Sequence, residues 1–424
     1  MRNQFFLFIQ PQIYIFSFSG ASFWRFLVIL PCQNNSTMQN ICHNIKYIGT
    51  QDDNLDLFEG QYPINKGVSY NSYLIDDEKI AIIDSVDIRR TDDWLWNIGK
   101  ALGQKHPSYI IVQHMEPDHS ASLLSICRKY PELKIVCSPK AAAMIGNFFE
   151  TPDLSQRIIT VSDGDTLPLG QSTLKFLSAP MVHWPEVIVS FEMQSATLFS
   201  ADAFGSFAMW DDTDAWDAEA RRYYTNIVGR FGASVQQLLR KLNELPIKNI
   251  APLHGPMLTG DLSRYIDLYD KWSRYEPEEK GVLVAYASIY GGTAEAARRI
   301  AHLLQLENAG QVVLMDLCRH HVSYAVAEAF RLDAMVLCSA TYDGGLMPAM
   351  YNFLHHLEMK KLCRRRVGFV ENGSWAPVAA RLMAGHTAKM KDFREIAPVV
   401  TIKSRLHEAD IPLCQDLAKA MAEK

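Results

Sequence analysis

The stretch from Gln113 to Ser120 constrains this chain more than any other. Two imidazoles and two carboxylates, His114, Glu116, Asp118 and His119, fall within six consecutive positions directly after the apolar run Tyr109-Ile110-Ile111-Val112. Such a run reads as a buried strand. The polar cluster must therefore leave a sheet at the strand's end, where a loop can aim several donors at one point, and this requires a layered α/β fold. Histidine and carboxylate are borderline to hard donors suited to iron, zinc or manganese, and no cysteine among them favours a soft metal or a cluster. The plain alternative is a polar loop that holds two histidines by chance.

From Lys46 the pattern alternates strands with turn signals: Ser69 to Ile75, Lys79 to Ile83, Tyr109 to Val112, Lys134 to Val136, Thr173 to Leu177, Val187 to Phe191 and Thr197 to Phe199. Asp76-Asp77-Glu78 separates the first two so briefly that they read as a hairpin. Helical spacing appears at Asp93 to Leu102, Ser120 to Tyr130, Ala218 to Gly229 and Val235 to Leu245. Trp210, Trp216, Tyr223 and Tyr224 read as core or lid aromatics. Three more ligand-type residues follow strand patterns: His183, Asp202 and His254. Alone, each reads as an ordinary loop residue. Together they point to one site, because strand C-termini in α/β sheets converge on one edge.

The charged, proline-bearing run Trp272 to Lys280 marks a domain boundary. Beyond it, Val282 to Tyr286 reads as a buried parallel strand, followed by Ser288-Ile289-Tyr290-Gly291-Gly292-Thr293 and an Ala-rich helix. Small and hydroxyl residues at a helix N-terminus let backbone N–H groups cradle a phosphate. With neither GxGxxG nor a P-loop lysine, dinucleotide and ATP are not the natural guests. Two more buried strands end in loops, Thr341-Tyr342-Asp343-Gly344-Gly345 and Asn372-Gly373-Ser374-Trp375. Their glycines allow close backbone approach to a flat ring, and Tyr342 and Trp375 can pack on it. The arrangement describes a doubly wound domain that binds a mononucleotide at its switch point.

The net charge of −5 over 424 residues argues against nucleic acid or an anionic membrane as the main partner. Residues 281 to 424 hold 17 Lys and Arg against 14 Asp and Glu, a net +3 that leaves −8 on residues 1 to 280. The cations Lys360, Lys361, Arg364, Arg365 and Arg366 cluster within that basic half. Eight cysteines without a CxxC pair favour a reducing cytoplasm and exclude a rubredoxin-like or zinc-ribbon domain in this chain. The apolar stretches before Met38 fall short of a membrane span. Residues 1 to 37 read as an upstream artefact preceding a start at Met38, with a targeting extension as the alternative.

From about Met38 onward the chain resembles the flavodiiron proteins, or A-type flavoproteins. The HxExDH pattern of His114, Glu116, Asp118 and His119 is the specific part, since hydrolases related in fold carry HxHxDH and bind zinc. The resemblance implies an N-terminal metallo-β-lactamase-like αββα sandwich over residues 38 to 275, a linker at 276 to 280, and a C-terminal flavodoxin-like doubly wound parallel sheet over 281 to 424. It implies two non-haem irons, with His114, Glu116 and His183 on one, Asp118, His119 and His254 on the other, and Asp202 bridging. It also implies FMN in the Ser288 to Thr293 turn and the two later loops. The implied reaction is reduction of dioxygen to water, of nitric oxide to nitrous oxide, or both, in a homodimer or dimer of dimers.

A separate rubredoxin-like donor is the implied electron source, and the basic cluster at Lys360 to Arg366 is a candidate docking patch for it, the alternative being a solvated loop. Two rival functions remain: a zinc hydrolase with an accessory flavodoxin-like domain, and an electron carrier with a vestigial metal domain. Glu116 speaks against the first and the complete ligand set against the second.

Overall fold

The computed structural model describes residues 40–42, 44–150, 152–213 and 216–423. The expectation for residues 1 to 37 lies outside the described residues. Two sheets lie back to back in the N-terminal half. The first runs Asn40–Cys42, Ile45–Tyr47, Tyr73–Ile75, Ala81–Ile83, Tyr109–Val112, Lys134–Cys137, Ile158–Thr160 in spatial order. The second runs Thr166–Pro168, Thr173–Ser178, Ile188–Glu192, Thr197–Phe199, Asn249–Ala251.

Strand alternation sorts the side chains into layers. Ile111, Val136, Tyr73 and Ile83 meet Phe176, Ile188 and Phe199 between the sheets. Ile110 and Val112 face the other way, into a cluster with Trp94 and Ile98 of the helix Thr91–Leu102. On the second sheet Leu177, Val189 and Leu198 join Val235, Leu238 and Leu239 of the helix Gly232–Leu242 in that cluster. Each such apolar side chain, fully buried, stabilises the sandwich by about 1.5–3 kcal/mol.

The hairpin across Asp76–Glu78 is present, Tyr73–Ile75 pairing antiparallel with Ala81–Ile83. Two expected elements are divided. The strand expected over Ser69 to Ile75 breaks at Asn71-Ser72, because the Asn71 amide turns aside to donate to the carbonyls of Pro252 and Gly255, both at 2.8 Å. The helix expected over Ser120 to Tyr130 is two pieces, Pro117–Ser120 and Leu123–Lys129. The Ser120 hydroxyl donates back to Met115 O at 2.8 Å, which holds the histidine-bearing turn against the strand end. The helix from Trp216 also loosens into a wider turn at Tyr224–Val228.

The C-terminal half is a parallel sheet ordered Gln311–Asp316, Glu279–Ala287, Leu332–Tyr342, Arg366–Asn372, with Arg394–Glu395 and Val400–Ile402 both pairing with the last. Val282, Val284, Val336 and Cys338 face one apolar layer, with the helices Gly292–Leu306 and Ile411–Ala422. Leu283, Ala285, Met335 and Leu337 face another, with Val322–Arg331, Pro348–Met359 and Ala379–Thr387. The sheet is doubly wound, and its strand order reverses between Glu279–Ala287 and Leu332–Tyr342, which opens a crevice there.

The stretch read as a linker is anchored. Arg221 donates to the Glu278 carboxylate, to Oε2 at 2.7 Å, and Trp272 Nε1 donates to it as well. Arg222 is buried, its guanidinium 4.5 Å from the ring centroids of both Phe207 and Tyr324, and it donates to Pro63 O and Ser323 Oγ.

Most of the basic cluster turns out to serve the fold. Arg365 is buried and donates to the carbonyls of Ala329, Phe330 and Tyr275. Lys360 donates to Asn226 O, Arg364 to Arg274 O, and Arg366 to Asp333. Arg365 is buried and Arg366 is ion-paired with Asp333, while Lys361 and Arg364 stay exposed, a division that Lys/Arg counting cannot reveal. Among the described residues no helix is long and apolar enough to cross a membrane, and the described cysteines are free thiols.

Candidate metal centre

The strand Tyr109–Val112 ends under a loop that presents His114 and Glu116, and the short turn of helix Pro117–Ser120 presents Asp118 and His119. His183 follows Thr173–Ser178, Asp202 follows Thr197–Phe199, and His254 follows Asn249–Ala251. All seven converge. They form two groups, His114, Glu116, His183, Asp202 and Asp118, His119, His254, with the ligand-type atoms inside each group within 4.8 Å of one another.

Asp202 joins the groups through its two oxygens. Its Oδ2 lies 3.2 Å from His114 Nε2 and 3.1 Å from His183 Nε2, while Oδ1 lies 3.2 Å from His119 Nε2 and 3.7 Å from His254 Nε2. Glu116 Oε2 closes the first group at 3.0 Å from His183 Nε2 and 3.2 Å from His114 Nε2. Asp118 Oδ2 closes the second at 3.2 Å from His254 Nε2 and 3.4 Å from His119 Nε2. A carboxylate set between two nests of donors is the geometry of a bridge between two cations.

Neighbouring groups fix which ring nitrogens face inward. His114 Nδ1 lies 2.8 Å from Glu186 Oε1, and His254 Nδ1 lies 2.8 Å from Ser69 O, so Nε2 of each is the atom turned to the site. Glu186 also accepts from Met115 N at 2.9 Å. Asp84 Oδ1 accepts from Gln113 N at 2.8 Å. Glu186, Ser69 and Asp84 escaped the sequence reading; Glu186, three positions after His183 in an otherwise apolar stretch, was the one visible signal. Backbone strain gathers here: Asp84, Met181, Ala201 and Phe204 all hold left-handed φ of 50° to 66°. Non-glycine residues adopt this at a cost of about 1–2 kcal/mol each, offset by bonds such as Asp84 N to Ile111 O and Leu253 N to Ala201 O.

The side chains fit metal ions. Buried Asp118 Oδ1 and Oδ2, His119 Nδ1 and Nε2, Asp202 Oδ1 and His254 Nε2 find no hydrogen-bond partner among the described residues. Orphaned buried donors and acceptors are costly unless something occupies them. Burial lowers the proton affinity of His114, yet Asp202, Glu116 and Glu186 outweigh it and hold the imidazole well above its ordinary value. His183 is likewise pushed up to about 9 against burial, by Asp202 and Glu116. Burial would raise Asp202, but His119 and His114 draw it well below the carboxylate range. Protons on the imidazoles thus balance the carboxylates, and binding of divalent cations would displace them.

The three flavin-type loops meet at one edge of the parallel sheet, where Ala287 registers with Ser339 and Ala340 with Asn372. Ser288 Oγ accepts from Gly291 N at 3.2 Å, and Gly291, at φ 95°, turns the chain into the helix. Gly292 must be glycine: a Cβ there would stand 2.0 Å from Ser404 O. Thr293 is buried, and its hydroxyl accepts from Asn372 Nδ2 at 3.2 Å, joining first loop to third. Asn372 also brackets Ser404, donating to its carbonyl and accepting from its N–H, so the segment at Ser404 completes a wall the sequence reading missed. Thr341 Oγ1 accepts from Val378 N, and Tyr342-Asp343-Gly344-Gly345 is a tight hairpin turn with φ of 49° and 69° at its two centre residues. Tyr290 is 99% exposed and Trp375 91%, while Ile289 and Tyr342 are about half exposed. Ser374 Oγ contacts Ser404 Oγ.

Residues 68–255 match the family model described as ODP family beta lactamase. An anaerobic nitric oxide reductase flavorubredoxin of Vibrio vulnificus is 28% identical over 330 residues, 75% of this chain and 66% of the relative. Its counterpart in Aliivibrio fischeri is 28% identical over 349 residues, 79% of this chain and 70% of the relative. This chain thus spans about two thirds of the length of these curated relatives. The rubredoxin:oxygen oxidoreductase of Desulfovibrio gigas superposes with a TM-score of 0.84 at 25% identity, covering 91% of this chain and 98% of that one. In sequence and fold the chain is similar to the flavodiiron proteins. A flavodiiron protein of Giardia intestinalis shares the fold at a TM-score of 0.85 and 24% identity, over 91% of this chain and 96% of that one. As in those structures, a lactamase-like half precedes a parallel-sheet half.

Proposed function

We propose that this chain is an oxidoreductase that reduces dioxygen to water, nitric oxide to nitrous oxide, or both. The observation that carries the reading is Asp202, whose two oxygens face two separate groups of buried donors. His114, Glu116 and His183 would hold one iron, Asp118, His119 and His254 the other, and Asp202 both. Bound there, the irons supply one-electron redox chemistry and the flavin a store of reducing equivalents. Three carboxylates in the set, Glu116 above all, favour cycling between ferrous and ferric over the fixed valence of zinc.

The protein's own part is positioning. Glu186 and Ser69 O hold His114 and His254 with Nε2 inward, and Phe58 and Tyr223 pack on His254, their ring centroids 5.2 and 5.6 Å from its own, which limits water at that side. At the other end Ser288 to Thr293 would bind the FMN phosphate through helix N-terminal N–H groups. Thr341 to Gly345 and Asn372 to Trp375 would flank the ring.

Exposed Tyr290 and Trp375 support a head-to-tail homodimer in which one subunit's flavin faces the other's irons. Similarity to a flavorubredoxin and to a rubredoxin:oxygen oxidoreductase supports a rubredoxin-type donor. Within the basic cluster Lys361 and Arg364 are exposed and would be the cations such a donor could meet there. Anaerobic reduction followed by separate dosing with each gas tests the reading. Reoxidation of flavin and iron by at least one gas is expected, and a reduced protein indifferent to both contradicts it.

A further inference from the structure

A phosphate dianion brings acceptor oxygens and no proton to give. A hydroxyl serves it only by turning its own proton toward it, and where that proton points is set by what the hydroxyl oxygen already accepts. The turn Ser288 to Thr293 offers two such hydroxyls, Ser288 and Thr293, and holds no lysine or arginine. Ser288 Oγ accepts from Gly291 N at 3.2 Å, which leaves its proton free to turn outward.

Thr293 is the more constrained of the two. It is 1% exposed, and its Oγ1 lies 3.2 Å from Asn372 Nδ2. The Asn372 amide has one possible orientation: Ser404 N can only donate, so the atom 2.9 Å from it is Oδ1, and the NH2 group faces Ser404 O at 3.0 Å and Thr293 Oγ1. Thr293 is therefore an acceptor toward Asn372, and its own proton finds no acceptor among the described residues. Asn372 is itself fixed. The Glu371 carboxylate beside it accepts from Thr401 Oγ1 and from Ala380 N, both at 2.9 Å, and Gly373 N donates to Ile402 O at 3.1 Å. Ser404 turns the chain at a left-handed φ of 69°, its Oγ contacts Ser374 Oγ, and its carbonyl occupies the space that a side chain at Gly292 would need. The phosphate-type turn, the third loop and the Ser404 wall thus meet on one buried amide.

Resting on the flavin reading above, we propose that Asn372 is the positioning residue that makes this site select a phosphorylated flavin over riboflavin. By donating to Thr293 it turns that hydroxyl's proton toward the phosphate, and by bracketing Ser404 it holds the wall behind the turn. An aspartate of the same shape reverses the first bond: the carboxylate takes the Thr293 proton for itself and sets a negative charge beside the dianion. A valine at position 293 removes the proton and leaves both bonds between Asn372 and Ser404 in place. Either change falls on the phosphate, which riboflavin lacks.

The test uses full-length protein freed of flavin, as wild type, Asn372→Asp, Thr293→Val and Thr293→Ser. Each is titrated with FMN and, separately, with riboflavin, following the quenching of flavin fluorescence, while thermal unfolding is recorded alongside. The proposal expects wild type to prefer FMN. Asn372→Asp and Thr293→Val should each lose roughly tenfold in FMN affinity and keep riboflavin affinity within about threefold, while Thr293→Ser, which retains the hydroxyl, stays near wild type. An Asn372→Asp protein with the wild-type ratio of FMN to riboflavin affinity overturns the proposal, whether both flavins bind as before or both weaken in proportion. Should that variant fail to fold, an unchanged ratio in Thr293→Val overturns it equally. A wild type that binds neither flavin contradicts the flavin reading instead.

Discussion

The two halves of this chain build their sites in opposite ways. The N-terminal site is made of side chains: seven donors drawn from four strand ends, five of them buried, held by Glu186, Asp84 and the Ser69 carbonyl. The C-terminal site is made of backbone: a turn through Gly291 and Gly292, a tight hairpin, and aromatic rings left in solvent. A metal needs particular atoms at fixed distances, so each ligand is irreplaceable. A phosphate and a flat ring need N–H groups and room, so loop shape matters more than any one side chain. Loss of a ligand should therefore disable the first site while sparing the second, and the converse should hold for a loop glycine.

Five variants probe that contrast, from the largest expected effect to the smallest. Glu116→Ala or His183→Ala should abolish consumption of either gas while FMN stays bound, read by gas electrode and flavin absorbance; full activity in either variant would refute the ligand assignment. Glu186→Gln should weaken metal affinity by roughly 10–100-fold, since it deprives His114 of its orienting carboxylate; competition with a chelator measures this, and an unchanged affinity would show that the ring needs no such support. Gly292→Ala must displace the Ser404 carbonyl, at about 1–3 kcal/mol, so FMN affinity should fall roughly 5- to 100-fold with iron content unchanged. Tyr290→Ala should leave thermal stability within about 0.5 kcal/mol, because the ring touches solvent alone within the chain; a large loss of monomer stability would break the picture of a loop waiting for a cofactor or partner surface.

The same contrast explains what the sequence disclosed. His114 to His119 announces itself because imidazoles and carboxylates rarely crowd a strand end without a task, and His183, Asp202 and His254 fall at comparable positions on other strands. The buried strands Tyr109–Val112, Thr197–Phe199 and Arg366–Asn372 were visible as apolar runs. Short ones such as Thr50–Asp52 and Asn249–Ala251 were not, since three residues carry no period and their pairing partners lie far along the chain. Nor could the sequence place Glu186 or Ser404, whose roles depend on contacts across 72 and 32 residues. The basic cluster at Lys360 to Arg366 was only partly legible for the same reason: composition counts charges, and only packing shows that Arg365 is buried against backbone carbonyls while Lys361 and Arg364 are exposed.

The central claim is that the buried cluster around Asp202 is a redox pair of irons. Its most direct test is the metal content of the full-length protein after exposure to equal iron and zinc under anaerobic conditions. The account predicts two irons per chain, with the loss of one of the two in a Glu116→His variant that recreates the hydrolase-type donor set. Two zincs per chain, with no change in preference on replacing Glu116, would contradict it.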